Sequence, residues 1–162
     1  MRRAALVSWY TVCLGNRDTV IEMIEMLDHT ADVGFDLRAS TLEELFDEAR
    51  RALLMVAFER PPQNGGEERG IQLSAPDRET LLVRWLNELT YLIQDTGFVP
   101  AGARIRLEET GRAGSSLIAS LTGAPVLLEE YGWQGEIKSA TYHGLDVSND
   151  DEGWHARVIL DV

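Results

Sequence analysis

The fold is decided by one stretch, residues 33–56, which reads VGFDLRASTLEELFDEARRALLMV. Apolar and polar residues alternate from Val33 to Ala39, a period of two that is typical of a half-buried β-strand. Thr41 and Glu44 then form the pattern of a capping box, in which each side chain accepts a hydrogen bond from the other residue's free amide. The following apolar residues recur at helical spacing and predict a helix with a buried stripe of Leu42, Leu45, Phe46, Ala49, Ala52, Leu53 and Val56. The charged residues of this helix are expected to be solvated: Glu43, Asp47, Glu48, Arg50 and Arg51.

The rest of the chain adds one helix and several strands. Residues 61–66 are a loop by composition, and residues 70–75 predict a short strand. Asp77 opens a second helix, which ends at Thr96 and Gly97. Strands are predicted around 104–108, 117–121, 136–147 and 154–162, with turns at 111–114 and 148–153. Because the strands cluster after the second helix, we expect an α/β fold of the α+β type: two helices on a largely antiparallel or mixed sheet, with strand-helix-strand-strand modules.

The N-terminal residues differ from the rest of the sequence. Residues 1–20 carry two arginines and a short apolar run, a pattern shared with signal peptides, but they lack a small-residue cleavage site. We therefore predict that residues 1–22 are a disordered extension or an artefact of an upstream start, and that residues 23–162 form the domain. Cys13, the single cysteine, excludes an intramolecular disulfide and a cysteine-rich zinc site.

The charge balance restricts the partners. The formal net charge is −12 over 162 residues. This argues against direct nucleic-acid binding, which requires lysines and arginines that displace counterions from phosphates. It is compatible with metal binding or with docking on a basic protein. No apolar run approaches the roughly 20 residues that a membrane span needs.

Two places carry candidate metal ligands. Asp32 stands at the entrance of the first predicted strand, and its carboxylate is a hard oxygen ligand suited to calcium or magnesium. At the other end of the chain, the Asp161 side chain and the terminal carboxylate of Val162 lie within one residue of each other, which favours a cation or a lysine between them. The alternatives from spacing alone are a turn or cap residue for Asp32 and a frayed, solvated terminus for Asp161.

Three segments together resemble the archease family. They are HTADVG at 29–34 followed by TLEELF at 41–46, KSATYH at 138–143, and GWHARVILDV at 153–162. The resemblance covers roughly residues 24–162. The sequence departs from the family pattern at Ala124 and Tyr131, where family members usually have a glutamate and a histidine.

The resemblance implies a cytoplasmic protein that is not an enzyme. Archeases assist the GTP-dependent tRNA-splicing ligase: they promote guanylylation of the ligase, sustain its multiple turnover and alter its nucleotide specificity. By the family's pattern, Asp32, Asp161 and Val162 would hold a divalent metal ion, calcium. The matching residues His29, Lys138 and His143 are the expected partner contacts, with Lys138 contacting the ligase or a nucleotide phosphate.

Two other functions stay open at this point. One is a stand-alone module that binds a small molecule or a metal ion. The other is a hydrolase that uses His29 or His143 with a carboxylate, although the chain has no nucleophile elbow and no phosphate-binding glycine loop.

Overall fold

The computed structural model describes residues 10–12, 20–28, 30–109 and 114–162, with side chains from residue 32 onward within these ranges. Its elements in chain order are β1 (Tyr10–Val12), β2 (Val20–Asp28), β3 (Thr30–Ala39), α1 (Leu42–Ala57), β4 (Glu67–Ala75), α2 (Arg78–Gln94), β5 (Phe98–Glu109), β6 (Ser115–Pro125), α3 (Leu128–Tyr131), β7 (Ser139–Asp150) and β8 (Gly153–Asp161). No helix in the described part of the chain is long and apolar enough to cross a membrane.

The α+β class is confirmed, but the strands form two sheets where one was expected. One sheet has the strand order β1-β2-β3-β8-β7 and the other β4-β6-β5. All described strand pairs are antiparallel. The strand-helix-strand-strand module occurs twice: β4-α2-β5-β6 is continuous in sequence and is inserted between α1 and β7 of a second unit, β3-α1-β7-β8. In both modules the last strand lies between the other two.

The predicted helix starts are confirmed. Thr41 caps α1, where the amide of Glu44 donates to Thr41 Oγ1 at 3.2 Å and the amide of Thr41 donates to Glu44 Oε2 at 3.3 Å. Asp77 caps α2, accepting from the Thr80 amide at 2.7 Å. Hydrogen bonds from the side chain and the backbone of Thr80 lower the pKa of Asp77. Local side-chain chemistry therefore sets where both helices begin.

The core surrounds the two long helices, each of which contacts both sheets. This arrangement corrects the expectation that Glu48 and Arg50 are solvated: both are buried. The second sheet covers that side of α1, and the Arg50 guanidinium donates to the carbonyls of Pro100 and Ala101 in β5, each at 2.9 Å. Its Nε also donates to Asp47 at 2.7 Å.

Several boundaries differ from the sequence expectation. β7 starts at Ser139 and continues to Asp150, so the acidic turn is shorter than predicted, and the short helix α3 was not expected. Residues 111–113 of the predicted turn at 111–114 lie outside the described residues. β1 and the first residues of β2 fall within the predicted extension 1–22. The domain boundary at residue 23 stays a prediction.

Candidate metal centre

The pairing of β3 with β8 brings the two candidate aspartates together. The register runs from Ala39 opposite Trp154 to Asp32 opposite Asp161. Directly opposed residues of an antiparallel pair share a face of the sheet, with Cβ atoms about 4.5–5.5 Å apart. Asp32 and Asp161 therefore lie next to each other on the face that points away from the helices.

Apolar side chains on the other face hold this register. Phe35 faces Val158 across the two strands, and both are buried, as is Leu160. A slip by one residue would move this apolar set to the outer face of the sheet, so burial specifies the pairing strongly. The hydrophobic core thus determines which carboxylates meet.

Lys138 completes the arrangement at the end of β8. Its backbone amide donates to the carbonyl of Asp161 at 2.8 Å. Its Nζ donates to Asp161 Oδ1 at 3.3 Å and to the main-chain oxygen of Val162 at 3.1 Å. The structure therefore brings Asp161, Val162 and Lys138 into contact, with Asp32 in the neighbouring strand position.

The donor set fits a hard divalent cation. Two carboxylates and a main-chain oxygen, from Asp32, Asp161 and Val162, are the oxygen ligands that calcium and magnesium prefer. Among the described residues, no three His, Cys, Asp or Glu side chains cluster as metal ligands. A bound ion would therefore depend on the main-chain oxygen and on water to complete its coordination. The described residues of the site include no histidine or cysteine, the ligands most typical of zinc sites, so these residues match zinc poorly.

Ser139 is a neighbour that sequence reasoning did not assign to the centre. It is the β7 residue opposite Asp161, which places its hydroxyl in the same cross-strand row as the two aspartates. The alternation of residues 138–143 indicates the face that Ser139 occupies. It does not indicate which strand lies beside β7, so this proximity depends on the sheet topology.

A cleft of about 410 Å³ adjoins the centre. Its lining is mostly apolar but includes Lys138, with Val33, Val56, Gln134, Gly135, Glu136 and Val162. Lys138 thus both lines this cleft and contacts Asp161, and 61% of its side chain is exposed to solvent.

Of the two candidate histidines, only His143 lies in the described part of the chain, and it is not part of this arrangement. His29 lies outside the described residues. His143 is exposed and lies where the β7–β8 register shifts between Thr141 and Asp146. It is four residues beyond Ser139, which in a strand corresponds to about 13 Å. Its predicted role as a partner contact stays a prediction.

The two departures from the family pattern lie elsewhere in the fold. Ala124 pairs with Val99 in the three-stranded sheet. Tyr131 is buried, and its ring meets Phe58 edge-on with centroids 5.8 Å apart. Tyr131 therefore has a packing role in this chain.

Two solved structures illustrate the similarity of this fold to known proteins. The solution structure of Methanobacterium thermoautotrophicum protein 1598 has a TM-score of 0.67 and 30% sequence identity, covering 84% of this chain and 96% of that one. The Thermotoga maritima protein described as an archease, possible chaperone, has a TM-score of 0.56 and covers 85% and 95% of the two chains. At 22% identity, the second match shows the fold alone.

Sequence relatives agree with the structural match. The archease of Methanosarcina mazei is 43% identical over 70 residues, which are 43% of this chain and 48% of that protein. The archease of Archaeoglobus fulgidus is 35% identical over 83 residues, or 51% and 61% of the two chains. The chain thus spans about half the length of the curated relatives it matches.

Residues 24–162 match the profile of the Archease protein family (MTH1598/TM1083). Because this match covers most of the sequence, the chain belongs to the archease family.

Proposed function

We propose that this protein is a cytoplasmic, non-catalytic activator of the GTP-dependent tRNA-splicing ligase. It would promote ligase guanylylation and multiple turnover, and would alter the nucleotide specificity of the ligase. The observation that carries the proposal is the cross-strand pair of Asp32 and Asp161, which joins two motifs typical of the archease family in one centre.

The charge of the chain supports a protein partner over RNA. A ligase that binds RNA needs basic surroundings at its active site. A partner with a net charge of −12 would be attracted to such a surface and would dock without binding RNA itself. The expected result is association that weakens as the salt concentration rises.

Asp32, Asp161 and Val162 would hold a divalent cation, calcium, in this proposal. When bound, the cation supplies positive charge that offsets the repulsion between the two carboxylates. The residues themselves fix the end of β8 against β3 and β7, which keeps the chain end in one position for docking. Lys138, and with it His29 and His143, are the proposed contacts to the ligase.

A ligation time course with substoichiometric ligase tests the proposal. We expect sustained turnover only with the wild-type protein, and a loss of at least about tenfold with Asp32→Asn or Asp161→Asn, since such a factor corresponds to one interaction of about 1.4 kcal/mol. Asp151→Asn is the matched control. It removes an exposed carboxylate at the β7–β8 turn, at the opposite end of β8, and should leave turnover unchanged.

Two results would contradict the proposal. Wild-type protein that is folded but leaves an active ligase unchanged would favour a stand-alone binding module. Full activation by folded Asp32→Asn and Asp161→Asn would show that activation does not depend on the candidate metal centre.

A further inference from the structure

Lys138 has two properties that set it apart from the other basic residues. It is the only lysine in a sequence with 15 lysines and arginines. Its Nζ also lies 3.3 Å from Asp161 Oδ1 and 3.1 Å from the main-chain oxygen of Val162. These oxygens belong to two of the three residues proposed to hold the divalent cation.

We propose that Lys138 is an internal competitor of the divalent cation, so that cation binding displaces its ammonium group and frees it for an anionic group of the partner. This inference rests on the proposed metal centre and assigns a regulatory role to one residue within it. The centre would then have two states, with either the ammonium or the metal ion beside the carboxylate of Asp161.

Electrostatics requires the two states to compete. An ammonium and a divalent cation at the same oxygens would repel each other strongly at such short distances. Each oxygen also has a limited number of lone pairs, and those that bind the metal ion are lost to Nζ. The lysine therefore has to move as the ion enters.

The chemistry of lysine suits this exchange better than that of arginine. The ammonium is a compact charge on a flexible four-carbon stem, so it can mimic a small cation and can also move away. Because 61% of the Lys138 side chain is exposed, the displaced ammonium remains solvated, and its displacement costs little free energy. An exposed ion pair of this kind is weak, so a divalent ion can readily displace the ammonium.

The displaced ammonium would remain beside a cleft that Lys138 already lines. Lys138 lines the cleft of about 410 Å³ beside the centre, together with Glu136 and Val162. In the metal-bound state this cleft would present a free positive charge on an otherwise acidic protein. Carboxylates or phosphates of the docked ligase are the groups that such a charge attracts.

Calcium titration calorimetry on three proteins tests the competition. We expect Lys138→Met to bind calcium about two- to fivefold more tightly than wild type, because the energy of one exposed ion pair no longer opposes binding. Arg106→Met is the matched control. It removes one exposed positive charge from β5 in the other sheet, where Arg106 pairs with Glu108 at 3.5 Å, and should bind calcium like wild type.

The outcomes of this titration separate the inference from the proposed function. Equal or weaker calcium binding by folded Lys138→Met, with wild type still binding, would overturn the competition alone. The absence of calcium binding by both wild type and Lys138→Met would overturn the metal centre and the competition with it.

Amine labelling gives a second readout that does not depend on ligase activity. Since Lys138 is the only lysine, an amine-reactive ester followed by peptide mass spectrometry reports on this side chain alone, apart from the α-amino group. We expect saturating calcium to raise the labelling rate of Lys138 in wild type. In Asp161→Asn the rate should be high without calcium and insensitive to it. An unchanged rate in calcium-saturated wild type would overturn the proposed displacement.

Discussion

Two cross-strand pairs on the same two strands, β3 and β8, behave in opposite ways. Asp36 faces Arg157, and the guanidinium donates two hydrogen bonds to the carboxylate, at 2.7 and 2.9 Å. The hydrogen bonds and the charge of Asp36 raise the pKa of Arg157. Four residues along the same strand, Asp32 faces another aspartate, Asp161. One pair is complementary and the other combines like charges.

The difference separates a stabilising contact from one that we propose to be functional. Opposite charges directly across a sheet contribute roughly 0.2–1 kcal/mol, and like charges in that position cost stability. A cation reduces the repulsion between Asp32 and Asp161, and Lys138 supplies one beside Asp161. A like-charge pair of this kind is what the proposed metal centre requires.

The largest predicted effect contrasts the response of the two pairs to calcium. When the free calcium concentration is about a hundred times the dissociation constant, calcium binding should raise the free energy of unfolding by about 2.7 kcal/mol. We expect this gain in wild type and in Asp36→Asn, and its loss in Asp161→Asn. Without calcium, Asp161→Asn should change stability by less than about 0.5 kcal/mol, because it loses the exposed ion pair with Lys138 but also removes the repulsion with Asp32.

Urea unfolding with and without calcium measures these differences. A calcium response that persists in Asp161→Asn, or that disappears in Asp36→Asn, would remove the distinction between the two pairs.

An intermediate effect follows from turning the complementary pair into a like-charge pair. Arg157→Asp places a carboxylate opposite Asp36, with no lysine beside it. Losing the ion pair and adding repulsion should together cost about 1–2 kcal/mol. Arg104→Asp is the control, since it makes the same charge change at an exposed position of β5 and should cost less than about 0.5 kcal/mol.

Thermal unfolding at low salt would compare the two variants. Equal destabilisation by Arg157→Asp and Arg104→Asp would mean that the cross-strand position is irrelevant and that only net charge matters.

The smallest predicted effect concerns the carboxylate of Glu48, which lies in helix α1 and outside the β3–β8 pair. It is buried, and its Oε2 has no hydrogen-bond partner among the described residues, although Oε1 accepts from Arg51 at 3.0 Å. Burial raises the pKa of Glu48, and the charge of Arg51 opposes part of that rise. Glu48→Gln should therefore raise stability at pH 7 by about 1 kcal/mol.

The pH dependence gives the sign of this effect. A carboxyl group with a higher pKa in the folded state binds more protons when folded than when unfolded, between the two pKa values. Wild-type stability should therefore fall as the pH rises from about the unfolded value of 4.5 towards the folded pKa. In Glu48→Gln this decrease in stability with pH should be absent, while the control Glu88→Gln on α2 should still show it. Parallel pH profiles for all three proteins would contradict the prediction.

The two long helices and most strands could be predicted from the sequence because their signals are local. The capping box of Thr41 and Glu44 and the cap of Asp77 each act within one turn of their own helix. The burial of Glu48 and Arg50 could not be predicted in this way. It depends on β5, a strand distant in sequence that lies against the charged side of α1.

The candidate site was predictable only in part. The sequence identified Asp32, Asp161, Val162 and Lys138 as individual candidates, with the family resemblance proposing their joint role. It could not identify Ser139 as a neighbour of Asp161, because that contact depends on β8 pairing with β7. Nor could it show that the Lys138 ammonium contacts oxygens of both Asp161 and Val162.

By itself, the sequence determined the main local elements of this protein: the two long helices, where each of them begins, and which strand faces are apolar. These features depend on side chains separated by a few residues along the chain. Only the tertiary structure decided that the strands divide into two sheets and that Asp32 meets Asp161 beside Lys138. The physical reason is that strand order and register come from burying apolar faces contributed by distant segments, and this burial then determines which polar residues face one another.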